Sequence, residues 1–217
     1  MEKVKKRSFK NGIVKKRSLK FLPTGQRLII LDAGGEFGFV DNALLIFRSD
    51  KANGDYHQSM NTECFMKWFN EQLLPNLHTK SRIVLDNALY HNTVTPDTTT
   101  PKSTAKKSEL QEWLSDKNIQ FTINMIKAEL WKLIRENAPP KKYLTDYYAE
   151  IKGHKVLRTP IKHCVLNPIE LIWAYEKHYV ATNNKPPYRL SSVKQLYEES
   201  RTKIDCLYWQ RCIKHVI

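Results

Sequence analysis

An α/β domain is what this sequence predicts, on three observations. Two short apolar runs stand between Leu28 and Phe47, a third ends at Asp86, and beyond it stretches of helical period alternate with one further strand-like run. With 217 residues, the chain fits one ordinary domain whose core is large enough to fold without staples.

The first strand is RLIILDAGG, apolar from Leu28 to Leu31 and closed by Gly34 and Gly35. NALLIF, from Asn42 to Phe47, follows a short turn, so the two read as a hairpin. NTECFMKWFNEQLLP places Phe65, Trp68, Phe69 and Leu73 on one helical face, with Asn61 as the cap and Pro75 as the stop. SRIVLDN is a short buried strand ending in Asp86, and the Pro and Thr residues crowded between Thr93 and Thr104 make a loop. AKKSELQEWLSDKN and IKAELWKLIREN are two helices, each polar on one side, and TDYYAEIKG is a shorter one. KVLRTP is a strand, NPIELIWAYEKHYV a longer helix, and SSVKQLYEESRTKI and LYWQRCIKHVI complete a helical tail.

Charge narrows the class of partner. The chain carries a net +14, and Met1 to Lys20, with nine basic residues and one acid, holds +8 of it. Such an excess favours polyanions, most often nucleic acid, because neutralised phosphates release counterions. Within that segment VKKRS occurs twice, and Lys5, Lys6, Arg7, Lys15, Lys16 and Arg17 are candidate contacts to a DNA backbone or a nuclear-import address. A solvated arm with no specific partner explains them equally well. The cysteines Cys64, Cys164, Cys206 and Cys212 form no CxxC pair and read as reduced thiols of a cytosolic or nuclear protein. No apolar run approaches the ~18 residues of a membrane span.

Two carboxylates stand at positions suited to chemistry. Asp86 lies where a strand gives way to a loop, and ligands collect at the carboxyl ends of strands in open α/β sheets. Asn87 and His91 follow it. Taken alone, Asp86 could equally cap the next turn. Glu170 has an even stronger structural explanation: with Asn167 as N-cap and Pro168 at the first helical position, Glu170 falls at N3 and completes a capping box. Trp173, one turn on, reads as core packing, and His163 beside Cys164 as an ordinary loop pair.

In combination these residues say more. IVLDNALYHN together with HCVLNPIELIW resembles the DDE transposases of the Tc/mariner superfamily. RLIILDAGG, DYHQSMNTECFMKWF, KAELWKLI and GHKVLRTP are similar to landmarks of one animal branch of that family, in the same order, from Gly25 to the C-terminus. Several ordered motifs coincide by chance far less often than one. The resemblance implies an RNase H-like mixed sheet flanked by helices over residues 25–217, preceded by a basic, disordered arm at 1–24. It also implies a two-metal site for Mg²⁺ or Mn²⁺ in which Asp86 is the second acid and Glu170 the third, with Asn87, His91 and Asn167 in support. DNA is the implied partner, the nucleus the implied location, and a homodimer a further expectation. Eighty-three residues separate the two acids, so the helical stretch at 106–153 reads as an insertion between the halves of the site.

One departure decides what activity to expect. The family's first acid lies in a strand ahead of the one matching RLIIL, and nothing between Met1 and Gln26 matches it. VKKRSFKNGIVKKRSLK occupies that place, so the sheet is expected to lack or replace its first strand and catalysis to be impaired. Asp32 ends an antiparallel second strand, away from the site, and reads as a turn residue. Three readings remain: a DDE-type endonuclease domain weak or dead in catalysis, an active nuclease completed by Asp32, Glu36 or Asp55, and a domesticated DNA-binding or protein-interaction module. Asp55 and His57 together on one loop read as hydrogen bonding that positions the next helix.

Overall fold

The computed structural model of the chain describes residues 27–49 and 60–216. The basic arm with Lys5, Lys6, Arg7, Lys15, Lys16 and Arg17, and the pair Asp55 and His57, lie outside those residues.

The protein is mixed α/β. β1 (Arg27–Leu31) and β4 (Leu45–Ser49) pair antiparallel, with Ile29 opposite Phe47 and Leu31 opposite Leu45, as the expected hairpin. Between them the chain makes a smaller hairpin, from β2 (Gly34–Gly35) and β3 (Gly38–Phe39), where only a short turn is expected. Its turn needs Gly38, whose φ of +99° lies where side chains are strained. Gly34 is needed for space: a Cβ there would stand 2.2 Å from the Trp209 ring.

α1 (Thr62–Trp68) starts as expected, the Asn61 side chain accepting the Cys64 N–H at 2.8 Å. It widens into a π-turn over Phe69–Leu73 and tightens over Leu74–Asn76, where Pro75 ends it. Phe65, Trp68, Phe69 and Leu73 are buried, and the Trp68 indole donates to the Ala43 carbonyl at 2.6 Å. β5 (Arg82–Leu85) pairs parallel with β6 (Lys155–Arg158), Leu85 opposite Arg158. It is not the fully buried strand expected: Ile83 and Leu85 enter the core while Arg82 and Val84 face outward, the alternation of a sheet with one open face.

The described residues form no continuous mixed sheet, and the sheet expected to lack or replace its first strand is present as separate pairs. They make three two-stranded sheets, and β1 and β5 each have one partner strand among them. The antiparallel and parallel pairs nevertheless share a core, in which Leu31 and Leu45 from one and Ile83 and Leu85 from the other pack with Phe65 and Phe69 of the α1 region.

α2 (Lys107–Asp116) and α3 (Lys127–Asn137) form a hairpin with a separate core of Leu110, Leu114, Leu130 and Ile134. They are a repeat with a 20-residue offset: Lys107, Glu109 and Leu110 recur as Lys127, Glu129 and Leu130. Glu109 accepts the Lys106 N–H at 2.9 Å, and Glu129 the Ile126 N–H at 2.8 Å. Each first lysine reaches the loop leading to the other helix, Lys107 donating to the Ile123 carbonyl and Lys127 to that of Thr104. α4 (Leu144–Ile151) leads into β6. α5 (Ile169–Asn183), α6 (Leu190–Thr202) and α7 (Cys206–Val216) close the structure, with Ile172, Ile204, Trp209 and Cys212 packed beside Phe39. No helix among the described residues is long and apolar enough to cross a membrane. All four cysteines are free.

Candidate functional site

Asp86 leaves the end of β5 and begins a turn closed on itself. Its Oδ1 accepts the Ala88 N–H at 3.0 Å and lies 2.8 Å from His91 Nδ1, which is also 3.2 Å from the Asp86 carbonyl. The His91 hydrogen bond, with the Ala88 N–H behind it, outweighs partial burial and holds the Asp86 carboxyl below the ordinary carboxylate range. His91 is well covered, its ring against Phe65 at 4.4 Å and Tyr90 at 4.5 Å between centroids. Asp86 is 41% exposed, and its Oδ2 makes no hydrogen bond among the described residues. Asn87 supports the turn from the strand side, donating to the Thr159 carbonyl at 2.5 Å.

Glu170 stands in the first turn of α5, and the structure removes the capping explanation for it. Asn167 is extended, as a cap should be, but it contributes only its carbonyl, which accepts the Glu170 N–H at 3.0 Å. Pro168 already has helical dihedrals, and no side-chain cap bond forms. Asn167 is therefore not the side-chain cap that the sequence suggests, and the Glu170 carboxyl makes no hydrogen bond or ion pair among the described residues. Burial raises the Glu170 carboxyl above its ordinary range; the Lys177 charge opposes this, and the Asp86 charge adds to it.

The free oxygens of Asp86 and Glu170 are the hard donors available for a cation here. No group of three His, Cys, Asp or Glu side chains among the described residues is arranged to hold a metal. Trp173, expected beneath the site, is only half-buried, with Lys177 Nζ 5.8 Å from its ring centre. A surface concavity lined by Glu36, Gln210, Ile213 and Lys214 has neither acid in its wall.

Asp32 is not a turn residue. It is buried and ion-paired with Arg201 at 2.7 Å, and its Oδ1 accepts the Ala33 N–H at 2.9 Å. Its charge acts on Glu176 and Tyr197, which belong to a buried cluster absent from the sequence reading. Glu176 is 1% exposed, and neither of its carboxyl oxygens meets a hydrogen-bond partner among the described residues. The Tyr197 hydroxyl is near enough to influence it, yet no hydrogen bond of acceptable geometry joins them. The signal was present: Ile172, Glu176 and Val180 recur every four residues along the buried stripe of α5, one acid among apolar neighbours.

No protein-family model matches the chain, and neither a curated protein nor a solved structure matches it.

Proposed function

We propose that this chain is a DDE-type endonuclease domain of the Tc/mariner kind, a DNA-binding relative of transposases that keeps two of its three acids and is impaired in cleavage. One observation carries the reading. Asp86 and Glu170, singled out by the DNALYHN and NPIELIW motifs, both keep carboxylate oxygens free of hydrogen bonds among the described residues, the Asp86 Oδ2 and the whole Glu170 carboxyl, so neither acid is wholly spent on the capping roles that would explain it away. The strand pairing also fits. An antiparallel hairpin and a parallel pair that share a core are what an RNase H-like sheet would leave on either side of its first strand.

In this reading the Asp86 and Glu170 carboxylates are the residues that would hold Mg²⁺ or Mn²⁺. Two like charges with free oxygens suit a cation, and hard oxygen donors suit these ions. When bound, the ion supplies charge neutralisation and Lewis-acid assistance at a scissile phosphate. His91 keeps Asp86 ionised and aimed, with part of its carboxylate left exposed. DNA, a nuclear location and homodimerisation belong to the same proposal, as does an insertion carrying α2 to α4.

A second reading, a DNA-binding or protein-interaction module without catalysis, is favoured by one fact: no third acid joins the pair among the described residues. Calorimetric titration with Mn²⁺ decides between them. The first reading expects saturable binding that Asp86→Ala and Glu170→Ala each abolish; binding that survives both substitutions, or no binding at all, leaves the second.

A further inference from the structure

We infer that Arg158 is the positioning residue of the Asp86 turn, acting through His91; the inference rests on the proposed role of Asp86. Arg158 ends β6 directly opposite Leu85, so its backbone lies beside the residue that precedes Asp86. Its side chain reaches the far end of the same turn. Nε donates to Asn92 Oδ1 at 2.6 Å, and Nη2 to the His91 carbonyl at 3.4 Å and to Thr145 Oγ1 at 2.8 Å. Thr145 Oγ1 also donates to the His91 carbonyl, at 3.1 Å. Nη1 lies 2.9 Å from each Asp146 oxygen, and the guanidinium stands 4.2 Å from the centre of the Tyr143 ring.

Every nitrogen of the fork is therefore engaged. A guanidinium neutralised by Asp146 and covered by Tyr143 is poorly placed to take a phosphate, despite its position beside the site. Its donors instead fix the peptide that carries His91, and His91 Nδ1 fixes Asp86 Oδ1. A lysine could keep the ion pair with Asp146, but as a compact charge it could not span Asn92, Thr145 and the His91 carbonyl at once. Residues that orient a metal ligand from behind typically change metal affinity ten- to a hundredfold when lost.

The test compares the full chain with R158K, and with L157T as a control for disturbing β6 on its outward face. Two quantities are read: the imidazole ¹⁵N resonances of His91 without metal, assigned with H91Q, and Mn²⁺ affinity. R158K is expected to shift the His91 resonances and to weaken Mn²⁺ binding about tenfold, while L157T leaves both unchanged. A folded R158K with His91 resonances and Mn²⁺ affinity like the wild type overturns the inference. If R158K does not fold, N92A, which removes the Nε acceptor and spares the ion pair, is read instead; it should shift His91 in the same direction, and unchanged resonances overturn the inference. Absence of Mn²⁺ binding in the wild type overturns the metal reading of Asp86 and Glu170, and the His91 resonances then decide for Arg158 separately.

Discussion

Replacing Glu176 by glutamine should change how stability depends on pH. Burial pushes the Glu176 carboxyl up to about 8, with the Asp32 charge adding to the effect and Arg201 and Lys177 opposing it. Its ordinary value is 4.5. Between these values the folded state holds a proton that the unfolded chain has released. Stability therefore falls as pH rises through that window, by up to ~1.4 kcal/mol per pH unit. From about pH 5.5 to about pH 7.5 the full slope would give ~2.7 kcal/mol, and relaxation around the ionised acid brings the expected loss to about 1–2 kcal/mol. A glutamine side chain cannot ionise, but its amide adds buried donors without a partner, which cost about 1–3 kcal/mol at low pH. The variant should thus be the less stable protein near pH 5.5 and regain about 1–2 kcal/mol on the wild type by pH 7.5. Urea unfolding followed by Trp fluorescence at several pH values measures this, and the difference between the two proteins isolates Glu176 from other titrating groups. Parallel curves, with a constant difference across the range, would refute the argument that Glu176 is held neutral.

Glu170 should make Mn²⁺ binding sensitive to mild acid. Its carboxyl is raised and that of Asp86 lowered, so on acidification Glu170 takes up its proton first, and affinity should decline at a pH where Asp86 is still ionised. Calorimetric titrations of the wild type across pH should show this decline, and an affinity that stays constant under mild acid would contradict it. Gly34→Ala should destabilise the protein by about 2–3 kcal/mol, since a methyl group cannot be fitted beside a buried indole without displacing it; thermal unfolding reads this, and an unchanged midpoint would contradict the packing of Trp209 on β2. The purified chain with Mg²⁺ or Mn²⁺ should give no strand transfer and at most trace nicking of plasmid DNA. Robust cleavage lost on Asp86→Ala would show that a third carboxylate completes the site after all.

What the sequence makes legible is local. The α-helices of the described residues follow from apolar spacing, and Asn61 can be read as a cap because its partner, Cys64, is three residues away. Flanking motifs single out Asp86 and Glu170, and what a motif cannot convey is which side-chain bonds are made. Asn167, Pro168 and Glu170 have the spacing of a capping box, but the helix starts on the Asn167 carbonyl and leaves both side chains out of the cap. Distant partners are illegible. Asp32 reads as a turn residue because its counterion, Arg201, is 169 residues away, and only the folded chain lays α6 against the end of β1. The Gly34–Phe39 hairpin is hidden because two-residue strands carry no periodicity. The α2–α3 repeat is hidden for another reason: only three residues recur identically at its heart, and the likeness lies in burial and capping.

The sheet pairing raises the question of what holds the Asp86 turn in place. A two-stranded sheet is marginal by itself in water, so neither the β1–β4 pair nor the β5–β6 pair can serve as a rigid platform alone. Both lay apolar residues on the α1 region, where Phe65 and Phe69 are central. Phe65 also meets the His91 ring, and His91 holds Asp86. The wall that joins the two sheets is therefore the wall on which the Asp86 turn rests, and Arg158 is bonded to the last residues of that turn, His91 and Asn92. Glu170 stands on a different support, since its helix packs through Ile172 on Trp209 and Ile204. Position and chemistry separate on these grounds. The Asp86 turn rests on the core shared by the two sheets and the Glu170 helix on a separate apolar cluster, and in the proposed reading cleavage would need carboxylate donors beyond these two. On the proposed reading, a chain of this design keeps a metal-binding pair of acids while losing turnover.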